Sequence, residues 1–144
     1  MGATLIESPD EHHWVLLDHQ VTQIVVDTNS FRIQTWSLEG SAEIRCSAPF
    51  RVRQPSGSER TIDPTETETL APLLALLRRR VESLTITRDG ELTVAFSGGT
   101  SVVVSAPRAS GPSSRRVVGW EVQGGGALEG MSYAGALPQP HGYE

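Results

Sequence analysis

The chain has 144 residues, close to the usual size of one domain and long enough to bury a core without covalent staples. Its single cysteine, Cys46, excludes an internal disulfide and any zinc site built on several cysteines. The net charge of −5 is concentrated in residues 1–72, which carry 11 acidic and 5 basic side chains, and this argues against a nucleic-acid footprint, which needs clustered positive charge.

The opening MGATLIESPDEHH lacks the basic segment and apolar run of a secretory signal, and Glu7, Asp10 and Glu11 cut its short apolar stretch. The longest apolar or proline run is Leu70 to Leu77, far below the ~18–20 residues of a membrane-spanning helix. A cytoplasmic protein with no membrane contact is expected. All 12 basic residues are arginine, which fits a GC-rich coding sequence.

In chain order, "DEHHWVLLDHQ" from Asp10 reads as a polar helix start with Asp10 as its N-cap. Ile24 to Val26 and Phe31 to Ile33 flank a turn at Asp27–Ser30. From Ala42 to Val52 the apolar residues Ala42, Ile44, Cys46, Ala48, Phe50 and Val52 alternate with polar ones, the period of a strand with one buried face, and Pro49 suggests an edge or a bend. "QPSGSER" from Gln54 is a loop by composition. Asp63-Pro64-Thr65-Glu66 has the form of a capping box, Thr69 offers a second N-cap, and Leu70, Leu73, Leu74 and Leu77 make an apolar stripe at helical spacing. A helix covering a sheet is predicted there.

The second half then repeats the first. Leu76-Leu77 align with Leu16-Leu17, Val81 with Val21, Leu84 and Ile86 with Ile24 and Val26, and Leu92 and Val94 with Phe31 and Ile33. Ser105-Ala106-Pro107 aligns with Ser47-Ala48-Pro49. Asp89-Gly90 predicts a tight hairpin turn with two positive-φ residues, and Gly98-Gly99 a second turn. After "APRASGPSSRR", Val117 to Val122 and Leu128 to Tyr133 read as a hairpin turned by Gly124-Gly125-Gly126, and residues 134–144 as a loose tail.

The predicted fold is therefore α+β in a single domain. Two similar α-β-β-β units of antiparallel meanders, at about 14–53 and 70–107, pack with one main helix, and a C-terminal β-hairpin occupies about 116–133. A three-stranded sheet with one apolar face cannot stand alone, and a second copy covers it.

Few residues carry chemistry. His12, His13 and His19 lie among Asp10, Glu11 and Asp18, but no His-x3-His or third ligand at a recognisable distance completes a metal site. Arg78 to Arg80 end the predicted helix, where its dipole favours cations. Cys46 holds an apolar-phase position and reads as a core thiol rather than a nucleophile, with His141 too far out in the tail to serve as its base. The glycine triplet lacks the Lys-Ser/Thr of a phosphate loop, and Ser97, Ser101 and Ser105 lack a hydrolase elbow. No catalytic residue, metal or cofactor is predicted.

Trp36 is the exception. With Phe31 and Ile33 inward, it falls on the opposite parity, toward solvent, a bulge or a covering loop, among acids such as Glu39 and Glu43. An exposed tryptophan among acids is the composition of a protein-binding surface.

"LAPLLALLRRRVESLTITRDGELTVAFSGGTSVVV", followed by the strand "GWEV" and a glycine-rich segment, resembles a family of small uncharacterised bacterial domains over Asp63 to Tyr133. The chain departs from that pattern in its inserted "RASGPSSRR". The family brings no catalytic residues, so the resemblance implies fold rather than activity. Domains of this kind often stand beside toxin genes as immunity proteins.

The function expected is non-enzymatic protein binding, as an immunity protein that occludes a basic toxin or effector. The partner-binding residues expected are Trp36, Glu39, Glu43, Asp18 and Asp27. One alternative is an assembly module, as homo-oligomer or accessory subunit. Another is a small-molecule-binding or hydrolytic domain at the repeat junction, worked by Asp18 and Asp27.

Overall fold

A computed structural model describes residues 3–9, 11–28, 30–105, 120–126 and 132–134, with the backbone alone for residues 3, 4, 17, 18, 67, 126 and 132–134. Eleven strands among them form one antiparallel sheet. They are β1 (Ala3–Glu7), β2 (Glu11–Val26), β3 (Phe31–Ser37), β4 (Gly40–Cys46), β5 (Phe50–Arg53), β6 (Glu59–Ile62), β7 (Arg80–Thr87), β8 (Leu92–Phe96), β9 (Ser101–Val104), β10 (Trp120–Gly126) and β11 (Ser132–Ala134). The order across the sheet is β11-β10-β4-β3-β2-β7-β8-β9-β5-β6, with β1 paired to the first half of β2. The α+β expectation is overturned: the fold is predominantly β, and the one long helical segment among the described residues is a 3-10 helix over Thr67–Leu76.

The chain itself forces this sheet to roll. Cys46 ends β4 and Phe50 begins β5, so three intervening residues must connect strands six places apart in the order. In a flat sheet those strands would lie about 29 Å apart, whereas four Cα steps span at most about 14 Å. Rolling brings the two ends together: the rings of Phe31 on β3 and Phe50 on β5 stack with centroids 5.9 Å apart. Trp120 on β10 donates its indole N–H to the carbonyl of Gly90, in the β7–β8 turn, at 2.9 Å. The enclosed face carries one continuous core, including Leu16, Phe31, Ile44, Phe50, Leu84, Val94, Phe96 and Trp120.

The repeat is real as two meanders. Ile24 pairs with Ile33 and Val26 with Phe31, just as Leu84 pairs with Val94 and Ile86 with Leu92. Even the irregularities agree, since β2 bulges between Val21 and Gln23 and β7 between the aligned Val81 and Ser83. The two copies join edge to edge. Gln20 pairs with its own counterpart Arg80, and the Val21 amide donates to the Arg79 carbonyl at 2.8 Å, which places an approximate twofold axis at that pair.

What precedes each meander is not a matched helix. The segment from Glu11 to His19, predicted helical, is the first part of the 16-residue strand β2, which pairs with β1 and β7 and buries Trp14 and Leu16. Its alternation of inward and outward residues satisfies a sheet with partners on both edges, a context that outweighs the local pattern.

Before β7, the predicted stripe of Leu70, Leu73, Leu74 and Leu77 is replaced by Leu70, Leu73 and Leu76, which are 5%, 0% and 2% exposed, while Leu74 is 58% exposed. A spacing of three is that of a 3-10 helix, whose side chains at i and i+3 eclipse. Pro72 inside it can donate no amide bond in either helix type. The start is held by Thr69, whose hydroxyl accepts the Asp63 amide at 3.0 Å and lies 2.8 Å from the Glu66 carbonyl. The hydroxyl and amide of Thr65 donate to Asp63 Oδ1 at 2.7 and 2.9 Å, which holds that carboxyl below its usual range.

Two turns differ in detail from expectation. At the β7–β8 connection only Gly90 has positive φ, at 101°, and Thr87 bonds both Gly90 and Glu91 across the loop. This is a type I turn followed by a left-handed glycine, so Asp89 stays in ordinary backbone space. The Gly124–Gly126 run is not a turn: it lies within β10, where Gly124, Gly125 and Gly126 pair with Ala42, Ser41 and Gly40. A hairpin of β10 with β11 exists, in the register Val122 to Tyr133, but its turn and the predicted start at 116–119 lie outside the described residues. Among the described residues no helix is long and apolar enough to cross a membrane.

Candidate functional site

The outer face of β2, β3, β4 and β10 presents registered rows of side chains. Pairing sets Arg32 beside Arg45 and Glu121, Gln34 beside Glu43 and Gln123, and Trp36 beside Ser41 and Gly125. Parity explains the exposure of Trp36: Phe31, Ile33 and Thr35 point into the core, so 32, 34 and 36 point out. Trp36 is 54% exposed, whereas Trp14 and Trp120 are 9% and 0% exposed.

Because β10 carries glycine where it passes Trp36, nothing rises from that strand to cover the indole, and a shallow depression of about 420 Å³ opens there. Thr22, Gln34, Trp36, Ser41, Glu43 and Gln123 contribute to its lining, together with Gly124 and Gly125. A Cβ built on Gly125 would come within 3.3 Å of Ser41 Oγ, so any larger residue there intrudes on this space.

Glu43 supplies the charge. Gln34 donates Nε2 to its Oε1 at 3.0 Å, and Arg32 Nη1 lies 3.7 Å from the same oxygen. Oε2 has no partner among the described residues. Arg32 also lies 3.2 Å from Asp27 Oδ2, so its single positive charge is shared between two carboxylates. Among the described residues, two carboxylates thus share one cation here, and Glu39 stands in the β3–β4 turn alongside.

The five sequence-derived binding residues are thus distributed unevenly. Trp36 and Glu43 line one depression, Glu39 stands in the adjoining turn, and Asp27 is tied to it through Arg32 at the β2–β3 turn. Asp18 lies on β2 with its side chain outside the described residues. At the repeat junction β2 and β7 bond directly through Gln20 and Arg80 and through the Val21 amide and Arg79 carbonyl. Gln34 shares the parity of Trp36 and was legible on that ground. Gln123, Gly124 and Gly125 were not, since they join the site only through the β4–β10 pairing.

The duplicated scaffold supplies an internal comparison. Positions equivalent to Gln34, Trp36 and Glu43 in the second copy are Ala95, Ser97 and Ser101. The same backbone carries an aromatic, amide and carboxylate group in one copy and only small side chains in the other.

Other candidates resolve into structural roles. His13 Nδ1 is 2.8 Å from Thr85 Oγ1, His12 is 3.6 Å from Glu7, and buried His19 lies between Ser37 and Thr35 at 3.2 and 3.5 Å. Among the described residues no three metal-capable side chains gather. Cys46 is fully buried, and loss of hydration pushes its thiol up to about 12. In the arginine triplet, Arg79 Nη1 donates to the Ser97 carbonyl at 2.7 Å and lies against Gly98, clamping the β8–β9 turn rather than completing a helix dipole. A mainly apolar notch of about 290 Å³, lined by Ile24, Val26, Phe31, Leu70, Ala71 and Leu74 together with Glu68, lies between the β2–β3 hairpin and the 3-10 helix.

Comparison with known families matches residues 13–135 to a family of unknown function, DUF6188. Neither a curated protein nor a solved structure matches the chain.

Proposed function

We propose that this chain, which belongs to the DUF6188 family of unknown function, is a non-enzymatic protein-binding domain that docks its partner on the outer face of β3, β4 and β10. The observation that carries this reading is Trp36: a large indole left half-exposed over a glycine-floored depression, beside a carboxylate with an open oxygen. Aromatic anchors of this kind contribute most of the energy of interfaces, and surrounding charge selects and steers the partner. The acidic first half favours a basic partner. Occlusion of a basic toxin or effector, as by an immunity protein, is the form of this function we favour.

Affinity purification of the tagged protein from its own host tests the reading, with Trp36→Ala and Glu43→Arg in parallel. A stoichiometric partner retained by the wild type and lost by both variants is the expected result. A partner retained equally by all three would place the interface elsewhere.

A second reading, self-assembly, is favoured by the apolar notch and exposed Leu74 beside it. Light scattering decides it: a stable dimer that Leu74→Arg dissociates would support assembly, and a monomer would remove it.

A further inference from the structure

We infer that the depression beside Trp36 is a seat for a cationic side chain, an arginine of the partner before a lysine, held between the indole and Glu43 Oε2. The inference rests on the protein-binding reading and names the chemistry that site recognises. Three observations carry it.

The first is charge. The charged groups in and behind the depression are Glu43 and Asp27, which share the single cation Arg32, and the neighbouring row sets Arg45 in register beside Glu121. An anionic ligand would meet an excess of carboxylates, while a cation meets a field that attracts it.

The second is the open valence. Both described contacts of Glu43 use Oε1, and Gln34 spends its donor nitrogen on that oxygen. Oε2 of Glu43 and the amide oxygen of Gln34 are therefore two neighbouring acceptors at the wall, with Thr22, Ser41 and Gln123 adding further polar groups around them. A guanidinium has five N–H donors in a planar fork and no acceptor, so it satisfies two acceptors at once without leaving a lone pair unmet.

The third is the shape of the floor. Glycines at 124 and 125 keep space open beside the indole, and an arginine plane laid on tryptophan gains cation–π attraction that a neutral isostere lacks. The second copy, with Ala95, Ser97 and Ser101 at the equivalent positions, has neither aromatic surface nor carboxylate, so only the first copy can hold such a group.

The test is a titration of the full chain with acetyl-Gly-Arg-Gly-amide, its citrulline counterpart and the disaccharide cellobiose, followed by the indole N–H signals of the three tryptophans. The arginine peptide is expected to move the Trp36 signal while buried Trp14 and Trp120 stay in place. Citrulline, which keeps the shape and loses the charge, should require at least about tenfold more peptide for an equal shift. Glu43→Gln, a near-isosteric change at a half-buried surface position, should lower the arginine response about fivefold and leave thermal stability unchanged. Equal shifts with arginine and citrulline, or a shift with cellobiose alone, would overturn the inference.

Run beside the affinity purification, the two failures separate. A host partner lost in Trp36→Ala together with no arginine response would overturn the cationic seat and keep the protein-binding face. No partner and no arginine response would overturn both.

Discussion

Cys46 lies in the core at the position that Val104 occupies in the second copy, with both side chains almost wholly shielded from water. Cys46→Val therefore replaces the thiol with the residue its own repeat tolerates, and the expected cost is under about 1.5 kcal/mol by urea denaturation. The same substitution isolates a pH effect. Burial raises the thiol from 9.0 to about 12, so between those values the unfolded chain loses a proton that the folded chain keeps. Stability from this group is fully present below pH 9 and falls as pH rises, by about 1.4 kcal/mol per unit. The difference between wild type and Cys46→Val should narrow or invert over that window. A difference that stays constant from pH 8 to 11 would contradict the assignment. Arg78 is the second informative residue, because it is the sole non-glycine with positive φ among the described residues, at 74°. It turns the chain between the 3-10 helix and β7, its amide donating to Val21 at 3.0 Å and its carbonyl accepting from Gln20 at 3.2 Å. Holding an L-residue there costs roughly 1–2 kcal/mol, partly offset by the smaller entropy of its unfolded state, so Arg78→Gly should raise stability by about 0.5 kcal/mol. A lowered denaturation midpoint would show that the arginine side chain stabilises the junction.

The 3-10 helix over Thr67–Leu76 makes a sharp prediction at the level of the element. If the period is three, Leu73 faces the core and Leu74 faces water, although both belong to the stripe expected for an α-helix. Leu73→Ala should cost about 2–5 kcal/mol and Leu74→Ala less than about 0.5 kcal/mol. Comparable losses at both positions would restore the α-helical stripe. The strands show the same priority of packing over local preference. Glu11 to His19 has helix-compatible spacing, yet it lies between β1 and β7 and takes their geometry. Gly124 to Gly126 would make an easy turn, yet pairing with β4 keeps them extended and opens the depression beside Trp36.

Across the whole molecule, the three-residue passage from β4 to β5 and the direct bonding of β2 to β7 tie the two copies into one rolled sheet around one core. The duplicated units should therefore not unfold separately. Trp120, buried where β10 meets the Gly90 turn, and far-UV circular dichroism, which reports the strands of both copies, should give coincident urea transitions. Two resolved transitions would mean that the copies hold independent cores. Rolling also sets the two faces apart: the inner face is mainly apolar, with His19, Thr35 and Ser37 buried in the first copy, while the outer face of the first carries Trp36, Gln34 and Glu43 at positions where the second has small residues.

Much of this was written in the residues themselves. The duplication, the meanders on either side of Asp27 and Gly90, the inward parity of Phe31, Ile33, Ile44 and Cys46, and the outward parity of Trp36 and Glu43 follow from a period-two pattern, because alternate strand side chains must face opposite sides. Tertiary structure alone decided the rest. Whether "HHWVLL" is helix or strand, whether Leu74 or Leu76 is buried, and whether three glycines turn or extend depend on which surface lies alongside. Those surfaces come from distant parts of the chain: β7 for β2, the sheet interior for Leu76, and β4 for the glycines. A local pattern reports which side of a segment is apolar, but hydrogen-bond partners many residues away determine the backbone geometry that buries it.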